Sequence, residues 1–251
     1  MNAAFSMLGR KLADTLTRSR HIHSSGPIYS AEQLLACLRP GDVLLVEGNS
    51  RISSAIKFLT QSTWSHAALY VGSCLAEKGG DAAHCFVEAD VVKGVRSVGL
   101  EEFSNLHACI CRPFGLNDAE CKRVAKYAIQ RIGNQYDLRN VFDLARYFLP
   151  NPPVPARFRR NLLALGSGDP TRAICSTLIA QAFQSLRYPI LPVVSTSNAD
   201  SPNCPGCIEE IYNIRHHSLF APKDFDVSPY FSIVKPLESG NFDYKKLAWN
   251  K

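Results

Sequence analysis

The chain has 251 residues, 46% of them hydrophobic and 20% charged, which provides for a sizeable folded core and excludes wholesale disorder. Its formal net charge of +6 is spread along the sequence with neither a long basic run nor a nucleic-acid-binding signature, so nucleic acid is not an expected partner. Nine cysteines, odd in number, irregular in spacing and without a leading signal peptide, are expected as thiols in a reducing, cytoplasmic compartment. No apolar run approaches the roughly 20 residues that a membrane-spanning helix needs.

Residues 1–24 place Phe5, Leu8, Leu12 and Leu16 on one helical face among Arg10, Lys11, Arg18 and Arg20. Such a face suits either peripheral contact of residues 1–20 with an anionic membrane or packing on the chain's own domain. The turn Ser24-Ser25-Gly26-Pro27 ends it, and Ser30 caps a short helix that follows. The Pro40-Gly41 turn then leads into a β-branched strand ending at Val46, and residues 53–60 have helical spacing. Trp64 to Gly72 reads as a strand whose alternation sets His66, Ala68 and Tyr70 on one face and Ala67, Leu69 and Val71 on the other.

Further strands are expected at Cys85 to Ala89, Gly94 to Val98 and Ala108 to Pro113, and this order predicts an antiparallel meander. A helix is expected from Asp118 to Ile132, closed by Gly133, and a second helical segment opens at Asn134-Gln135-Tyr136-Asp137. The proline cluster from Pro150 to Pro155 and the basic stretch Arg157 to Arg160 read as an exposed insert at about 150–168. In Arg172 to Phe183, Leu178, Ile179, Ala182 and Phe183 recur at helical spacing, and Asp169-Pro170-Thr171 supplies turn and cap residues. A turn-rich loop, Pro202 to Cys207, and a closing strand, Tyr230 to Pro236, follow before a polar tail.

Cys175 falls at the opening turn of its helix, where unpaired N–H groups and the positive dipole end favour a thiolate. A cysteine nucleophile needs a base within hydrogen-bond reach, and the base is usually oriented by a third polar group. Of seven histidines, only His66 lies within a strong strand, between the small residues Ser65 and Ala67. Glu88 stands in an apolar strand expected beside it, where a buried acid calls for a cationic partner; Asp90 shares its pleat face and is the alternative. Cys204 and Cys207, with His216 and His217, offer a competing set of soft metal ligands. The histidine pair would point apart in a regular element, so no metal and no cofactor are expected.

Pro40-Gly-Asp-Val-Leu, Trp64-Ser-His-Ala-Ala-Leu-Tyr-Val-Gly72, Val87-Glu-Ala, Tyr136-Asp and Ile174-Cys-Ser-Thr-Leu178, in this order, resemble the circularly permuted branch of the NlpC-type papain-like cysteine hydrolases, the YiiX/YebB-like group. In ordinary papain-like enzymes the cysteine precedes the histidine; here the histidine strand comes first. The resemblance implies an α+β fold, with a small antiparallel sheet or half-barrel packed against the nucleophile helix. It also implies Cys175 as nucleophile, His66 as base, Glu88 as orienting group and Tyr136 close to the site, donating to a developing oxyanion. The implied organisation is a helical extension at 1–35, a catalytic domain at 36–236 and a tail at 237–251. The implied reaction is hydrolysis or acyl transfer on a small peptide, another amide or a lipid acyl group through a thioester. A catalytically retired or metal-supported ligand-binding module is the alternative.

Overall fold

The computed structural model describes residues 26, 28–90, 93–135, 174–198 and 208–236. The N-terminal extension, Tyr136, the proline-rich insert, Cys204, Cys207 and the tail lie outside the described residues.

Six strands form one antiparallel sheet in the order β4-β3-β2-β1-β5-β8. They are β1 (Val43–Val46), β2 (His66–Tyr70), β3 (Phe86–Asp90), β4 (Gly94–Val98), β5 (Ala108–Pro113) and β8 (Phe231–Val234). The expected meander holds from β1 to β4. The chain then crosses back, and β5 pairs with the other side of β1, Val43 opposite Cys111 and Val46 opposite Ala108. Burial explains why β1 is central: all four of its residues are buried, so both faces and both edges need cover. β6 (Val193–Asn198) and β7 (Ile208–Asn213) form a separate two-stranded hairpin. The sequence reading had no strands there, because Val-Val-Ser-Thr-Ser-Asn carries no apolar face to signal burial.

Apolar layers cover both faces of the sheet. On one face Val43, Leu45, Ala67, Leu69 and Val87 meet Val124, Ala125 and Ala128 of α3 (Asp118–Ile129) and Leu178, Ile179, Ala182 and Phe183 of α4 (Ile174–Gln184). Both helical stripes repeat at three and four residues, as a sheet-facing surface requires. On the other face Leu44, Val46, Ala68, Phe86 and Ile110 meet Leu34 of α1 (Ala31–Cys37) and the short 3-10 turn Leu100–Phe103. α1 is fixed by a capping box of Ser30 with Gln33, and α3 by one of Asn117 with Glu120.

Two longer-range features finish the frame. Past α3, the turn at Gly133, which adopts φ 93°, lets Gly133 N–H donate to Val95 O and Val95 N–H donate to Asn134 O, so this segment covers the edge of β4. The lead-in to β2 is clasped by the short helix α5 (Lys223–Asp226): the Trp64 indole N–H donates to Asp226 at 3.0 Å, and Lys223 Nζ donates to Thr60 O at 2.6 Å. The cleft-flanking helix α2 (Arg51–Thr60) begins two residues before the expected start, where the Ser50 side chain accepts from Ser53 N–H. β4 and β5 have the expected bounds and β3 the expected length, whereas β2 is shorter than Trp64 to Gly72 and β8 shorter than Tyr230 to Pro236.

Candidate active site

β2 opens on His66, opposite Val46 of β1, and the residue before it is pinned: Ser65 N–H donates to Val46 O at 3.1 Å, and Ser65 Oγ accepts from Gly48 N–H at 2.9 Å. In the β2–β3 register Ala68 faces Glu88, which sets Glu88 diagonally from His66 on one pleat face. The carboxylate Oε2 accepts from His66 Nε2 at 2.6 Å. Because an ionised carboxylate only accepts, Nε2 carries the proton and Nδ1 is the nitrogen left for another partner. Asp90, the alternative acid, instead accepts from Lys93 N–H at 2.7 Å in the turn between β3 and β4.

α4 brings the third side chain from the far end of the sequence. Cys175 is the second residue of that helix and is 5% exposed, while the His66 side chain is 26% exposed. The sulfur sits near enough to His66 and the Ala67 N–H for each to favour its ionised form, and lies 3.9 Å from Ser176 Oγ. Cys175, His66 and Glu88 line one cleft of about 230 Å³, bounded by Gly48, Asn49 and Ser53 on one side and Phe103 and Leu106 on the other. The Phe103 ring packs 6.2 Å from the imidazole, centroid to centroid.

Electrostatics bind the three groups into one unit. Burial opposes the Cys175 thiolate, but the His66 charge and hydrogen bond, with the Ala67 N–H and Ser176, more than offset it and hold the thiol below its ordinary range. Burial likewise opposes the imidazolium, yet Glu88 and the Cys175 thiolate hold His66 well above the usual histidine value. Glu88 is pushed up by burial and pulled down further by His66 and Arg96, so it stays ionised. All three shifts run in the direction that favours a thiolate beside an imidazolium backed by a carboxylate.

Other thiols behave differently. Burial raises Cys85 and Cys121, and a shared hydrogen bond raises Cys111 while lowering its neighbour Cys109. Among the described residues no group of three or more His, Cys, Asp or Glu side chains is placed to hold a metal ion. His216 and His217 stack on each other at 4.1 Å between ring centroids, and His216 Nδ1 bonds Ser218.

The sequence reading passed over Arg96. It faces Glu88 across the β3–β4 register; its Nη2 forms an ion pair with Glu88 Oε1 at 2.6 Å and donates to Glu102 Oε1 at 2.6 Å. The available signal was the alternation of β4, which puts Arg96 on the face opposite the one carrying Val95.

The chain forms an α+β arrangement in which an antiparallel sheet carries His66 on an early strand and is packed by a late helix that carries Cys175. Residues 37–148, a little under half of the chain, match the model of the permuted papain-like amidase enzymes, the YaeF/YiiX or C92 family. That stretch includes His66 and Glu88 and ends before Cys175. A crystal structure of the metalloprotein YiiX from Escherichia coli O157:H7 is similar over 79% of this chain and 97% of its own, at 14% identity and a TM-score of 0.45. No curated protein matches the chain. Among the described residues no helix is long and apolar enough to cross a membrane.

Proposed function

We propose that the protein is a thiol-dependent amidase, with Cys175 as nucleophile, His66 as general base and acid, and Glu88 as the group that orients and charges His66. The observation that carries this reading is the unbroken chain of contacts from the Cys175 sulfur through His66 to Glu88 Oε2 at 2.6 Å, inside a cleft. The amidase description of the family that matches residues 37–148 supports an amide as the bond attacked.

In this mechanism the thiolate adds to the amide carbonyl, and the developing oxyanion is met by N–H groups at the start of α4. Tyr136 is proposed as a further donor. His66 Nδ1–H passes its proton to the leaving nitrogen as the C–N bond breaks, which leaves a thioester on Cys175 and a neutral imidazole. That imidazole then takes a proton from water, whose oxygen attacks the thioester and restores the thiolate–imidazolium pair. An alcohol or amine in place of water gives acyl transfer. The proposed setting is a reducing compartment such as the cytoplasm, which keeps the nucleophile a thiol; none of the seven described cysteines is in a disulfide.

The test is alkylation by iodoacetamide with each modified cysteine mapped by mass spectrometry. Wild type should react at Cys175 ahead of every other cysteine, and His66→Ala should slow Cys175 by ~10²–10⁴-fold, the usual scale of general-base assistance. Equal reactivity of Cys175 and Cys109 in the wild type would sink the nucleophile assignment. Release of a fluorescent amine from acyl-peptide amides, against release of fatty acid from phospholipid vesicles, then separates peptide-type from lipid substrates.

A further inference from the structure

Behind the Cys175–His66–Glu88 unit the structure carries a feature that the mechanism above does not use. Both oxygens of Glu88, a side chain only 3% exposed, are occupied by cationic donors: Oε2 by His66 at 2.6 Å and Oε1 by Arg96 at 2.6 Å. Arg96 is itself divided, because the same Nη2 reaches Glu102 at 2.6 Å on the rim of the cleft, where Glu102 is 46% exposed. Arg96 Nε is buried without a hydrogen-bond partner. A residue chosen for stability alone would not strand a buried donor, and the guanidinium is used here as a point charge on one nitrogen rather than as a two-pronged fork.

We propose that Arg96 is a positioning residue that shares the Glu88 carboxylate with His66 and thereby sets how tightly His66 holds its proton, with Glu102 limiting the share Arg96 takes. The inference rests on the reading of Cys175 and His66 given above and extends it to the proton-donating step. A base whose carboxylate partner were wholly its own would keep its proton too firmly to give it to a leaving nitrogen. The charged groups facing His66 are Glu88 and Asp90 from β3, Cys175 from α4, Arg96 from β4 and Glu102 from the 3-10 turn. β1, its following loop and α2 face the cleft with Val46, Gly48, Asn49, Ser50, Ile52, Ser53 and Ile56, which are uncharged.

The test is the pH profile of Cys175 alkylation by iodoacetate, an anion whose rate reads the thiolate and the imidazolium together. The alkaline limb then reports the loss of the His66 proton. Arg96→Met should move this limb to higher pH by on the order of one unit, the effect of removing one charge near a partly buried site. Arg96→Lys, which keeps a single cationic nitrogen, should leave it near the wild-type position. Glu102→Gln should move it the opposite way, to lower pH, because Arg96 then leans fully on Glu88. Glu102 lies on the rim, so this variant decides the matter by itself should Arg96→Met fail to fold. An alkaline limb unmoved in Arg96→Met would make Arg96 structural only, and one moved to lower pH would make it a fixer of Glu88 geometry; either overturns the proposal, as does an unmoved or raised limb in Glu102→Gln. A wild-type profile with no bell at Cys175 overturns the Cys175–His66 pairing itself, and this inference with it.

Discussion

Glu88→Gln is the substitution that tests the electrostatics of the site most directly, since it keeps the shape and removes one charge. In the wild type that charge lies 2.6 Å from His66 Nε2 and 2.6 Å from Arg96 Nη2. A hydrogen bond to a charged group contributes about 1.5–3 kcal/mol, which corresponds to a roughly 10- to 100-fold smaller population of the thiolate–imidazolium pair. The expected result is a loss of that size in the alkylation rate of Cys175 at neutral pH. The acid limb should move up, because a weaker imidazolium stabilises the thiolate less, and the alkaline limb should move down. Stability gives a second reading with a worked sign. The folded-state pKa of Glu88 is depressed, so its contribution is present above the unfolded carboxylate value and lost as pH falls through the folded one. His66 is raised, so its contribution is full below the unfolded histidine value and lost as pH rises through the folded one. Denaturant titrations of wild type and Glu88→Gln should therefore differ most around neutral pH, converge as pH falls through the Glu88 value, and draw only partly together as pH rises through the His66 value, where the Arg96 pair persists. A neutral-pH alkylation rate within about twofold of wild type, well short of that 10- to 100-fold loss, would refute the coupling.

Turnover of the wild type on any substrate should follow a bell in pH, its acid limb below the ordinary thiol range from Cys175 and its alkaline limb above the ordinary imidazole range from His66; a single limb near the unperturbed histidine value would contradict the pairing. Phe183 is fully buried on the helix that carries Cys175 and packs against Tyr188, Phe225 and Phe231 at 5.5, 6.5 and 5.1 Å between ring centroids. Phe183→Ala should cost about 3–5 kcal/mol in a denaturant melt. Gly94 has φ 75°, and a Cβ there would sit 2.4 Å from Asn134 O, a backbone atom. Gly94→Ala should therefore destabilise by about 1–3 kcal/mol, read as a lower melting temperature.

The sequence was most legible where periodicity and chemistry coincide. Alternation in the Trp64 to Gly72 stretch put His66 on one face, an acid in an apolar strand pointed to Glu88, and the helical spacing after Cys175 marked its helix. These are the three side chains that the fold brings together. Pairing was harder to read, since β5 could have extended the meander past β4; only the two-sided burial of β1 shows why it returns to the centre. Arg96 was passed over because an arginine in a strand ordinarily signals solvent, and nothing local shows that its partner across the register is a buried carboxylate. The β6–β7 hairpin escaped notice for the opposite reason, Val193 to Thr196 and Ile211 to Asn213 being exposed and the two strands alternating without a clear apolar face.

The clasp of Trp64 and Thr60 by α5 ties the entry to the His66 strand to a segment more than 160 positions later. In a chain made from its N-terminus, His66 and Glu88 can be paired well before Cys175 exists, and the clasp closes only after α4 has been made. The three side chains are therefore complete only late in chain order, and a chain halted before α4 carries the His66–Glu88 pair without the Cys175 sulfur beside it.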